Sequence, residues 1–433
     1  MKPVRRFHIQ NFGCRASQAD GAAIEAGLEH AGMQSAAVPG DAEVVVLNTC
    51  TVTSSADDDV RYTIRRIHRD SPDTRILVTG CYAQRAPAEL AELPGVDWVV
   101  GNSHKIHIPE ILASAQHEPF HGQVHVGDIF ADSAFLSAPV EDSAGDRTRP
   151  NLKIQDGCNN RCSFCIIPFV RGRSRSAPAD RIVEQVRDLA ARYREIVLSG
   201  INLGRWGREP GSPLRLVGLI RRLLDETPAD RLRLSSVEPM DWGDELLELM
   251  AGSSRIAKHI HAPLQSGSDT VLRRMHRKYR PRHYEDRIRK ARALMPDAAI
   301  GADVMVGFPG ESETEFEQSR TFIESLPFTY LHVFTYSERP GTPAAERPQV
   351  PVGVRRERNR ILRELAAAKN LEFRRGMLGK RLSVVTLKGG ALSDNFLKVE
   401  AVQPGPANLI KDMRIGGLTE TGLREASLLN VLN

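Results

Sequence analysis

The chain has 433 residues, which is too long for one ordinary hydrophobic core and predicts two or three domains. Apolar residues make up 41% of it and charged residues 26%, as in globular proteins, and the net charge of +5 is mild. No stretch approaches the roughly 18 apolar residues of a membrane span, and residues 1–14 lack the apolar core of a secretory signal. Six cysteines without a disulfide-like spacing favour reduced thiols and a cytoplasmic location.

Residues 1–125 contain three short apolar runs that each lead into a cysteine, namely Cys14, Cys50 and Cys81. A helical pattern follows each run, over roughly 17–31, 54–69 and 84–92, so strand, turn and helix repeat three times and predict a parallel sheet with crossover helices. The carboxyl ends of parallel strands share one edge, where the three thiols would gather. Three inert, buried cysteines are the alternative. The repeated position after a strand favours a metal site instead.

Residues 126–149 are predicted to form a linker. Their second part is rich in Ala, Ser, Asp, Gly and Pro and has no periodicity. The N-terminal domain is therefore predicted to cover 1–125, with the next domain beginning near residue 150.

A second cysteine triplet follows the alternating run 152–155 and consists of Cys158, Cys162 and Cys165. Four-iron clusters normally take four Cys ligands, so three would leave one iron open to a small molecule. The alternative is a zinc site with a distant His as fourth ligand. Zinc motifs are usually two separated Cys pairs, which favours the iron cluster.

Six strand-like runs alternate with helical patterns from residue 150 to about 345 and predict a complete or partial parallel barrel. The runs are 152–155, 196–199, 232–235, 259–264, 300–306 and 330–335. Sites in such barrels lie at the strand carboxyl ends. The candidate ligand contacts there are Ser199, Gly200, Glu238, Gln265 and Asp303. Ordinary turn chemistry is the alternative role for Gly and Pro at these positions.

Two further stretches suit a nucleic acid. Between Arg273 and Arg292 ten Lys or Arg stand against two acids, with Tyr and His interleaved. A solvated helical face is the alternative. After a charged helix over 352–375, short alternating runs from Lys380 predict a small all-β module, whose alternative role is a cap on the barrel.

Taken together, these motifs resemble those of the radical S-adenosylmethionine (SAM) methylthiotransferases. The Cys-x3-Cys-x2-Cys triplet, with Phe164 before its last member, is similar to the radical SAM signature. The methylthiotransferase resemblance extends over 153–158, Ile166-Ile167-Pro168 and Arg171-Gly172, and over 48–53 and 80–84 in the N-terminal part. The first cysteine segment, 12–18, is a looser match that keeps Gly13-Cys14 and Gln18.

The resemblance implies an architecture for the whole chain. It consists of an N-terminal flavodoxin-like parallel α/β domain, a central partial (β/α)6 radical SAM barrel over 150–375 with its trailing helix, and a small TRAM-like RNA-binding β-barrel over 376–433. Two [4Fe-4S] clusters are implied: one on Cys158, Cys162 and Cys165 that cleaves SAM, and one on Cys14, Cys50 and Cys81 that presents or donates sulfur. The segments 198–200, 263–267 and 306–311 resemble the SAM pocket of the family.

The implied reaction adds a methylthio group to C2 of N6-threonylcarbamoyladenosine at position 37, in the anticodon loop of tRNA. An electron donor such as a flavodoxin or ferredoxin is implied as a partner. Segments 51–53 and 334–342 most resemble this branch of the family. The alternatives are the same reaction on isopentenyladenosine or on an aspartate of ribosomal protein S12. An alternative of another class is a non-catalytic RNA-binding protein with structural zinc.

Overall fold

A computed structural model describes residues 4–114, 122–131, 135–139, 148–403 and 405–427. The chain divides into two compact units. The first contains the described residues of Met1–Val140 together with Leu152–Ser176 and Ser337–Thr342. The second contains those of Glu141–Asn151, Ala177–Tyr336 and Pro343–Asn433. The linker expected over 126–149 lies partly outside the described residues, so the four sequence-based domain limits stay predictions.

The first unit is built on a six-stranded parallel sheet in the order β2-β1-β3-β4-β5-β6, which is the flavodoxin-like arrangement. Its strands are β1 (Arg6–Asn11), β2 (Gln34–Ser35), β3 (Val44–Thr49), β4 (Arg75–Gly80), β5 (Val96–Gly101) and β6 (Gln123–His125). The predicted parallel α/β domain is thereby confirmed. Strands β2, β5 and β6 were not predicted from the sequence. Two of these have only two or three residues and show no periodicity.

Five helices accompany this sheet: α1 (Arg15–His30), α2 (Ser54–Asp70), α3 (Cys81–Arg85), α4 (Pro87–Ala91) and α5 (Ile108–Ser114). Where the sequence predicts one helix over 84–92, two short helices meet at Ala86 and Pro87. Proline disfavours the helical conformation of the residue before it, and Ala86 has φ −139° and ψ 64°. Strand β3 is buried at every residue and its side chains enter two apolar cores, which explains its unbroken apolar run.

The first unit also holds the segment that carries the second cysteine triplet. It comprises β7 (Asn151–Asp156), α6 (Ile167–Arg171) and β8 (Arg175–Ser176), and all of it except Asn151 belongs to this unit. Strands β7 and β8 pair in the antiparallel sense, with Gln155 opposite Ser176. The cysteine loop is thus placed directly after the first of the six predicted barrel strands.

The second unit contains the other five predicted barrel strands: β9 (Glu195–Gly200), β10 (Arg231–Leu234), β11 (His259–His261), β12 (Ala299–Val306) and β13 (Tyr330–Thr335). Strands β9 and β10 pair in parallel, as do β11, β12 and β13 in that order. The helices between them are α7 (Ala179–Ala190), α8 (Leu216–Glu226), α9 (Asp244–Gly252), α10 (Asp269–Arg274), α11 (Pro281–Leu294) and α12 (Glu313–Ser325). The strand predicted over 259–264 is shorter than expected and ends at His261.

A long helix, α13 (Val352–Arg375), leads to a small closed barrel at the end of the second unit. The barrel strands are β14 (Arg381–Leu387), β15 (Gly390–Ser393), β16 (Lys398–Glu400), β17 (Ile410–Leu418) and β18 (Leu423–Glu425). Val384, Val399, Met413, Ile415 and Leu423 fill its core. The predicted C-terminal β-barrel is therefore confirmed.

None of the helices in the described ranges is long and apolar enough to cross a membrane.

A buried charge cluster joins this small barrel to strands β9 and β10. Glu195 is fully buried and accepts hydrogen bonds from Arg233 at 2.7 and 3.1 Å. The same Arg233 donates to the carbonyl oxygen of Asp394 at 3.0 Å, and Arg231 donates to the Ser383 hydroxyl at 2.6 Å. Each arginine therefore links the parallel strands to the barrel.

Candidate active site

The carboxyl edge of the N-terminal sheet carries Cys14, Cys50 and Cys81. Cys14 lies just beyond β1, whereas Cys50 and Cys81 directly follow β3 and β4. Strands β1 and β3 are neighbours at the point where the strand order reverses. In parallel α/β sheets ligands bind in the crevice at this point. The fold thus places three thiols from distant parts of the sequence at a typical ligand position.

Gly13 allows the first two cysteine loops to approach closely. It has φ +90°, and a Cβ atom there would lie 2.5 Å from Cβ and 2.8 Å from Sγ of Cys50. Cys81 packs against Ile166 and Val170, next to the second cysteine loop. The glycine in the Gly13-Cys14 pair is therefore required by backbone conformation and by space.

Cys158, Cys162 and Cys165 lie in an ordered loop after β7. The Cys158 amide donates to the carbonyl oxygen of Gly172 at 3.1 Å, and the Cys165 amide donates to that of Cys162 at 3.1 Å. Gly157 begins the loop with φ +68°, where a Cβ would lie 2.0 Å from the Arg173 carbonyl oxygen. The backbone is thus held from both ends while the three thiols stay partly exposed.

The spacing of the thiols can be compared with what different metal groups require. No disulfide joins any of the six cysteines, all of which are described. Among the described residues, a group of ligand atoms that all lie within 4.8 Å of one another is found on His261, Asp303 and His332. The three sulfur atoms of each Cys triplet do not all lie within this distance of one another. A zinc ion with Zn–S bonds of about 2.3 Å needs sulfurs closer than this. A four-iron cluster binds each thiolate on a different iron and therefore accepts sulfurs that lie farther apart.

Buried charged groups surround the two cysteine loops. Asp20 is 1% exposed and pairs with Lys105 at 2.7 Å and also with Lys153. Burial alone would raise the pKa of Asp20, but Lys105, Lys153 and Arg171 lower it to about 2. Arg171, which is 2% exposed, pairs with Asp156 at 3.0 Å and with Asp20 at 3.1 Å. These positive charges lie in the same compact unit as all six thiols.

The environment of Cys50 disfavours its thiolate form. Burial and the neighbouring Cys81 raise the pKa of the Cys50 thiol to about 12. Since metals bind the thiolate, a positive charge must offset this burial. Burial would also lower the pKa of Arg171, but Cys81, Asp20, Asp156 and Cys14 raise it well above its ordinary value. Arg171 is therefore charged at neutral pH and supplies part of the offset.

A segment distant in sequence reaches the Cys50 loop. Arg339 donates to the Asp57 carboxylate at 2.7 Å and to the Thr51 carbonyl oxygen at 3.3 Å. The Ser337 hydroxyl accepts from the Ser54 amide at 3.1 Å. The segments 51–53 and 334–342, which separately resembled one branch of the family, therefore meet beside a cysteine. The sequence carries no signal for a contact across more than 280 residues.

In the second unit, two buried hydroxyls at strand carboxyl ends lack a hydrogen-bond partner among the described residues, those of Ser199 and Ser235. The strands run side by side, and the Ser235 amide donates to the Leu198 carbonyl oxygen at 3.0 Å. Gly200 ends β9. Unsatisfied buried hydroxyls at such a position suit a polar ligand. Ser235, at the end of the run 232–235, was not among the residues predicted from the sequence.

The other three predicted contacts lie in the second unit with Ser199 and Gly200. Glu238 is paired with Arg277, whose guanidinium also donates to the Tyr279 hydroxyl at 3.2 Å. Gln265 has φ 64°, an unusual value for a residue other than glycine. Asp303 remains ionised: burial would raise its pKa, but its histidine neighbours lower the pKa well below its ordinary value. A role of these residues in SAM binding stays a prediction.

The histidines around Asp303 come from the strands on either side of it. His261 Nε2 lies 3.1 Å and His332 Nδ1 3.2 Å from the same Asp303 oxygen. Strands β11, β12 and β13 are in register, with Asp303 directly opposite His332. Of these three residues, the sequence pattern indicated Asp303 alone, because the histidines lie about 40 and 30 residues away.

The basic run 273–292 is largely neutralised by acids from other elements. Arg274 pairs with Glu315, and Arg287 and Lys290 pair with Asp244. Such pairing does not follow from the local sequence, in which only two acids occur. The positive surface at this run is therefore smaller than its composition indicates.

Two sequence families match this chain. The radical SAM superfamily matches residues 152–323, and the family described as uncharacterized protein family UPF0004 matches residues 6–101. Among solved structures, the radical SAM methyltransferase TsrM from Kitasatospora setae, with cobalamin and a [4Fe-4S] cluster bound, is similar with a TM-score of 0.60. That match covers 80% of this chain and 77% of the other at 15% identity, and it shows the fold alone. The fold and the Cys158 loop define a radical SAM protein.

Curated relatives show which family within the radical SAM superfamily this chain belongs to. The chain is 37% identical to threonylcarbamoyladenosine tRNA methylthiotransferase MtaB of Rickettsia prowazekii (strain Madrid E), over 92% of each chain. It is 41% identical to the protein of the same name in Bacillus subtilis (strain 168), over 81% of this chain and 78% of that one. A tRNA-2-methylthio-N(6)-dimethylallyladenosine synthase of Desulforamulus reducens is 32% identical over 89% of this chain and 85% of its own. The chain belongs to the radical SAM tRNA methylthiotransferase family, and its cofactors are SAM and [4Fe-4S] clusters.

Proposed function

We propose that this protein adds a methylthio group to C2 of N6-threonylcarbamoyladenosine at position 37, in the anticodon loop of tRNA. The observation that carries the proposal is the pair of cysteine triplets in one compact unit, each without a fourth cysteine. A cluster on one triplet suffices for SAM cleavage. We therefore assign the second triplet to the cluster that presents or donates the sulfur of the methylthio group. The substrate is the one named for the relatives at 37% and 41% identity.

Each triplet would hold one cluster. Cys158, Cys162 and Cys165 hold the SAM-cleaving cluster, and Cys14, Cys50 and Cys81 hold the auxiliary one. When bound, the clusters supply the electron that cleaves SAM and the sulfur that enters the product. The chain contributes the backbone hydrogen bonds that shape the Cys158 loop. It also buries Cys50 and Cys81, whereas Cys14 is exposed.

We assign SAM binding to Ser199, Gly200, Glu238, Gln265 and Asp303. The unsatisfied Ser199 hydroxyl offers a hydrogen bond, and Gly200 lets a ligand approach the backbone. Gln265 is held in its left-handed conformation by backbone hydrogen bonds to Asp303 and Met305. Such local strain is typical of ligand sites. The side chains of Glu238 and Asp303 are each oriented by a basic partner.

The remaining parts of the proposal concern partners and location. The C-terminal barrel would contact the tRNA, as TRAM-like modules do. A small one-electron carrier such as a flavodoxin or ferredoxin would reduce the protein. Both partners belong to the cytoplasm, where the thiols stay reduced.

Nucleoside mass spectrometry of bulk tRNA, with and without the gene, tests the substrate. Loss of the methylthio form and accumulation of N6-threonylcarbamoyladenosine supports the proposal. A change confined to the isopentenyl nucleoside would assign the other tRNA branch. An unchanged nucleoside profile would contradict a tRNA substrate and direct attention to ribosomal protein S12.

Two single-cysteine variants test the division of labour, with each triplet serving as the control for the other. Cys162→Ala is expected to lose about half of the bound iron together with SAM cleavage. Cys50→Ala is expected to lose a similar amount of iron, to retain SAM cleavage and to form no methylthio product. Equal loss of SAM cleavage in both variants would contradict the assignment. A protein that contains zinc and no iron after anaerobic purification would favour a non-catalytic role.

A further inference from the structure

Arg171 reaches groups that belong to both cysteine loops. Its side chain is 2% exposed and lies within the first compact unit, as do all six thiols. It follows Val170, which packs directly on Cys81. Its position connects two sites that the proposed function assigns to different tasks.

On the side of the auxiliary triplet, Arg171 contacts the start of α1. Its Nη2 donates to the Ser17 hydroxyl at 3.1 Å, and this oxygen lies 3.7 Å from Cys14 Sγ. The Val170 carbonyl oxygen accepts from Asn102 at 2.7 Å, and the same amide group lies 3.7 Å from Cys81 Sγ. The guanidinium is thus one polar group away from Cys14, and the preceding residue, Val170, packs against Cys81.

On the side of the SAM-cleaving triplet, Arg171 fixes the base of the loop. Its Nη1 donates to Asp156 Oδ1 at 3.0 Å, and the same oxygen accepts from the Gly157 amide at 2.8 Å. Gly157 is the residue that turns the chain into Cys158. The next residue after Arg171, Gly172, accepts the Cys158 amide.

The charges around Arg171 do not cancel. Among the described residues, three buried cations, Lys105, Lys153 and Arg171, contact two anions, Asp20 and Asp156, which leaves an excess of one positive charge. Within the described residues Arg171 Nε is buried and has no hydrogen-bond partner. Unpaired buried charge is costly, so a negatively charged neighbour is required. Iron clusters on three thiolates, with the sulfide they carry, supply such negative charge.

We propose that Arg171 is a positioning residue that sets the charge environment of the auxiliary cluster and ties its loop to the SAM-cleaving loop. A fixed positive charge stabilises the more negative, reduced form of a cluster and raises its reduction potential. This inference rests on the proposed function only in taking Cys14, Cys50 and Cys81 as cluster ligands.

The test is a redox titration followed by electron paramagnetic resonance on the full-length chain. The parent protein carries the substitutions Cys158→Ala, Cys162→Ala and Cys165→Ala, so that only the auxiliary cluster contributes a signal. Into this parent we would introduce Arg171→Met, Arg171→Lys and, as matched control, Arg175→Met. Arg175 also contacts Asp156, at 3.3 Å, and donates to the backbone carbonyl oxygens of Arg171 and Arg173.

Arg171→Met is expected to shift the potential of the auxiliary cluster to more negative values, clearly beyond the shift in Arg175→Met. Arg171→Lys is expected to restore most of the parent value, because it retains the charge. Equal potentials in the parent and Arg171→Met would overturn the proposal. If Arg171→Met holds no iron, Arg171→Lys decides: retained iron with a parent-like potential supports the charge role, and lost iron overturns it. A parent without any auxiliary cluster would instead contradict the proposed function.

Discussion

At the scale of the residue, Gly13 offers a sharp test of how the auxiliary site is built. Gly13→Ala is expected to displace Cys50, because the new methyl group would lie 2.5 Å from Cys50 Cβ. Iron content of the purified protein should fall by about half, while the iron on the other triplet remains. The measurement is iron per chain together with absorption near 400 nm.

Gly32→Ala is the matched control for this substitution. Gly32 has φ +86°, close to the +90° of Gly13, but a Cβ there would meet nothing within 4 Å. Both variants should lose about 1 kcal/mol or more through backbone strain. Equal iron loss in the two variants would mean that strain, and not contact with Cys50, controls cluster binding.

Asp20 is expected to make stability depend on pH in the acid range. Folding lowers its pKa from 3.8 to about 2, which corresponds to about 2 kcal/mol of stability. Because the folded pKa is the lower one, this contribution is complete above about pH 5 and is lost as pH falls towards 2. Urea unfolding of the metal-free chain between pH 5 and pH 3 should show the decline.

Asp20→Asn removes the titrating carboxyl group. Lys105 and Lys153 then lose the carboxylate with which both of them pair. The variant should lose about 3 to 5 kcal/mol at pH 7 and show a flatter profile at acid pH. Asp73→Asn, at an exposed position, serves as control and should change neither quantity appreciably. A profile for Asp20→Asn as steep as that of the unchanged chain would contradict the role of this carboxylate.

At the scale of the element, the segment 337–342 is held on the Cys50 loop by Arg339. Arg339 and Asp57 are both nearly buried, and Arg85 shares the same carboxylate at 3.0 Å. Arg339→Met should therefore free the segment and weaken the loop by about 3 kcal/mol. Hydrogen exchange should become faster in 51–57 and in 337–342.

The control for this substitution is Arg363→Met on the exposed side of α13. It removes the same kind of side chain without breaking a buried ion pair. Unchanged exchange at 51–57 in Arg339→Met would show that Arg85 alone holds the Asp57 carboxylate. The contact would then have no part in ordering the cysteine loop.

At the scale of the whole molecule, the C-terminal barrel is expected to contribute to tRNA affinity. Arg414 is exposed on β17, on the side opposite the buried Met413 and Ile415, and Lys411 is exposed near the start of the same strand. Replacing both by Ala should weaken tRNA binding and reduce the slope of log affinity against log salt by about one per lost phosphate contact. Filter binding at several salt concentrations measures both.

Arg320→Ala is the comparison for the barrel variant. Arg320 is partly exposed on α12 and is paired with Glu317 and Glu324. Its removal should leave the salt slope unchanged, since its charge is already neutralised within the helix. Equal slopes for the double variant and the unchanged chain would place the tRNA contacts elsewhere.

Much of the whole architecture was predictable because its signals are local. Strand-like runs before Cys14, Cys50 and Cys81, the alternation of six strands with helices, and the alternating runs after Lys380 all appear in the structure. Strands β2 and β6 were not predictable, because they are too short for a period-two pattern. The break at Pro87 could have been read from the proline itself.

The sequence by itself determined which residues are available for the chemistry of this protein. Two triplets of cysteines, one of them within a single loop, provide the thiol groups for the proposed clusters, because residue identity and short spacings are covalent properties of the chain. Only the tertiary structure decided the electrostatics between these sites. The contacts of Arg171 with Ser17 and Asp156, and of Arg339 with Asp57, join segments far apart in sequence. Such partners depend on burial and packing, which local residue patterns do not encode.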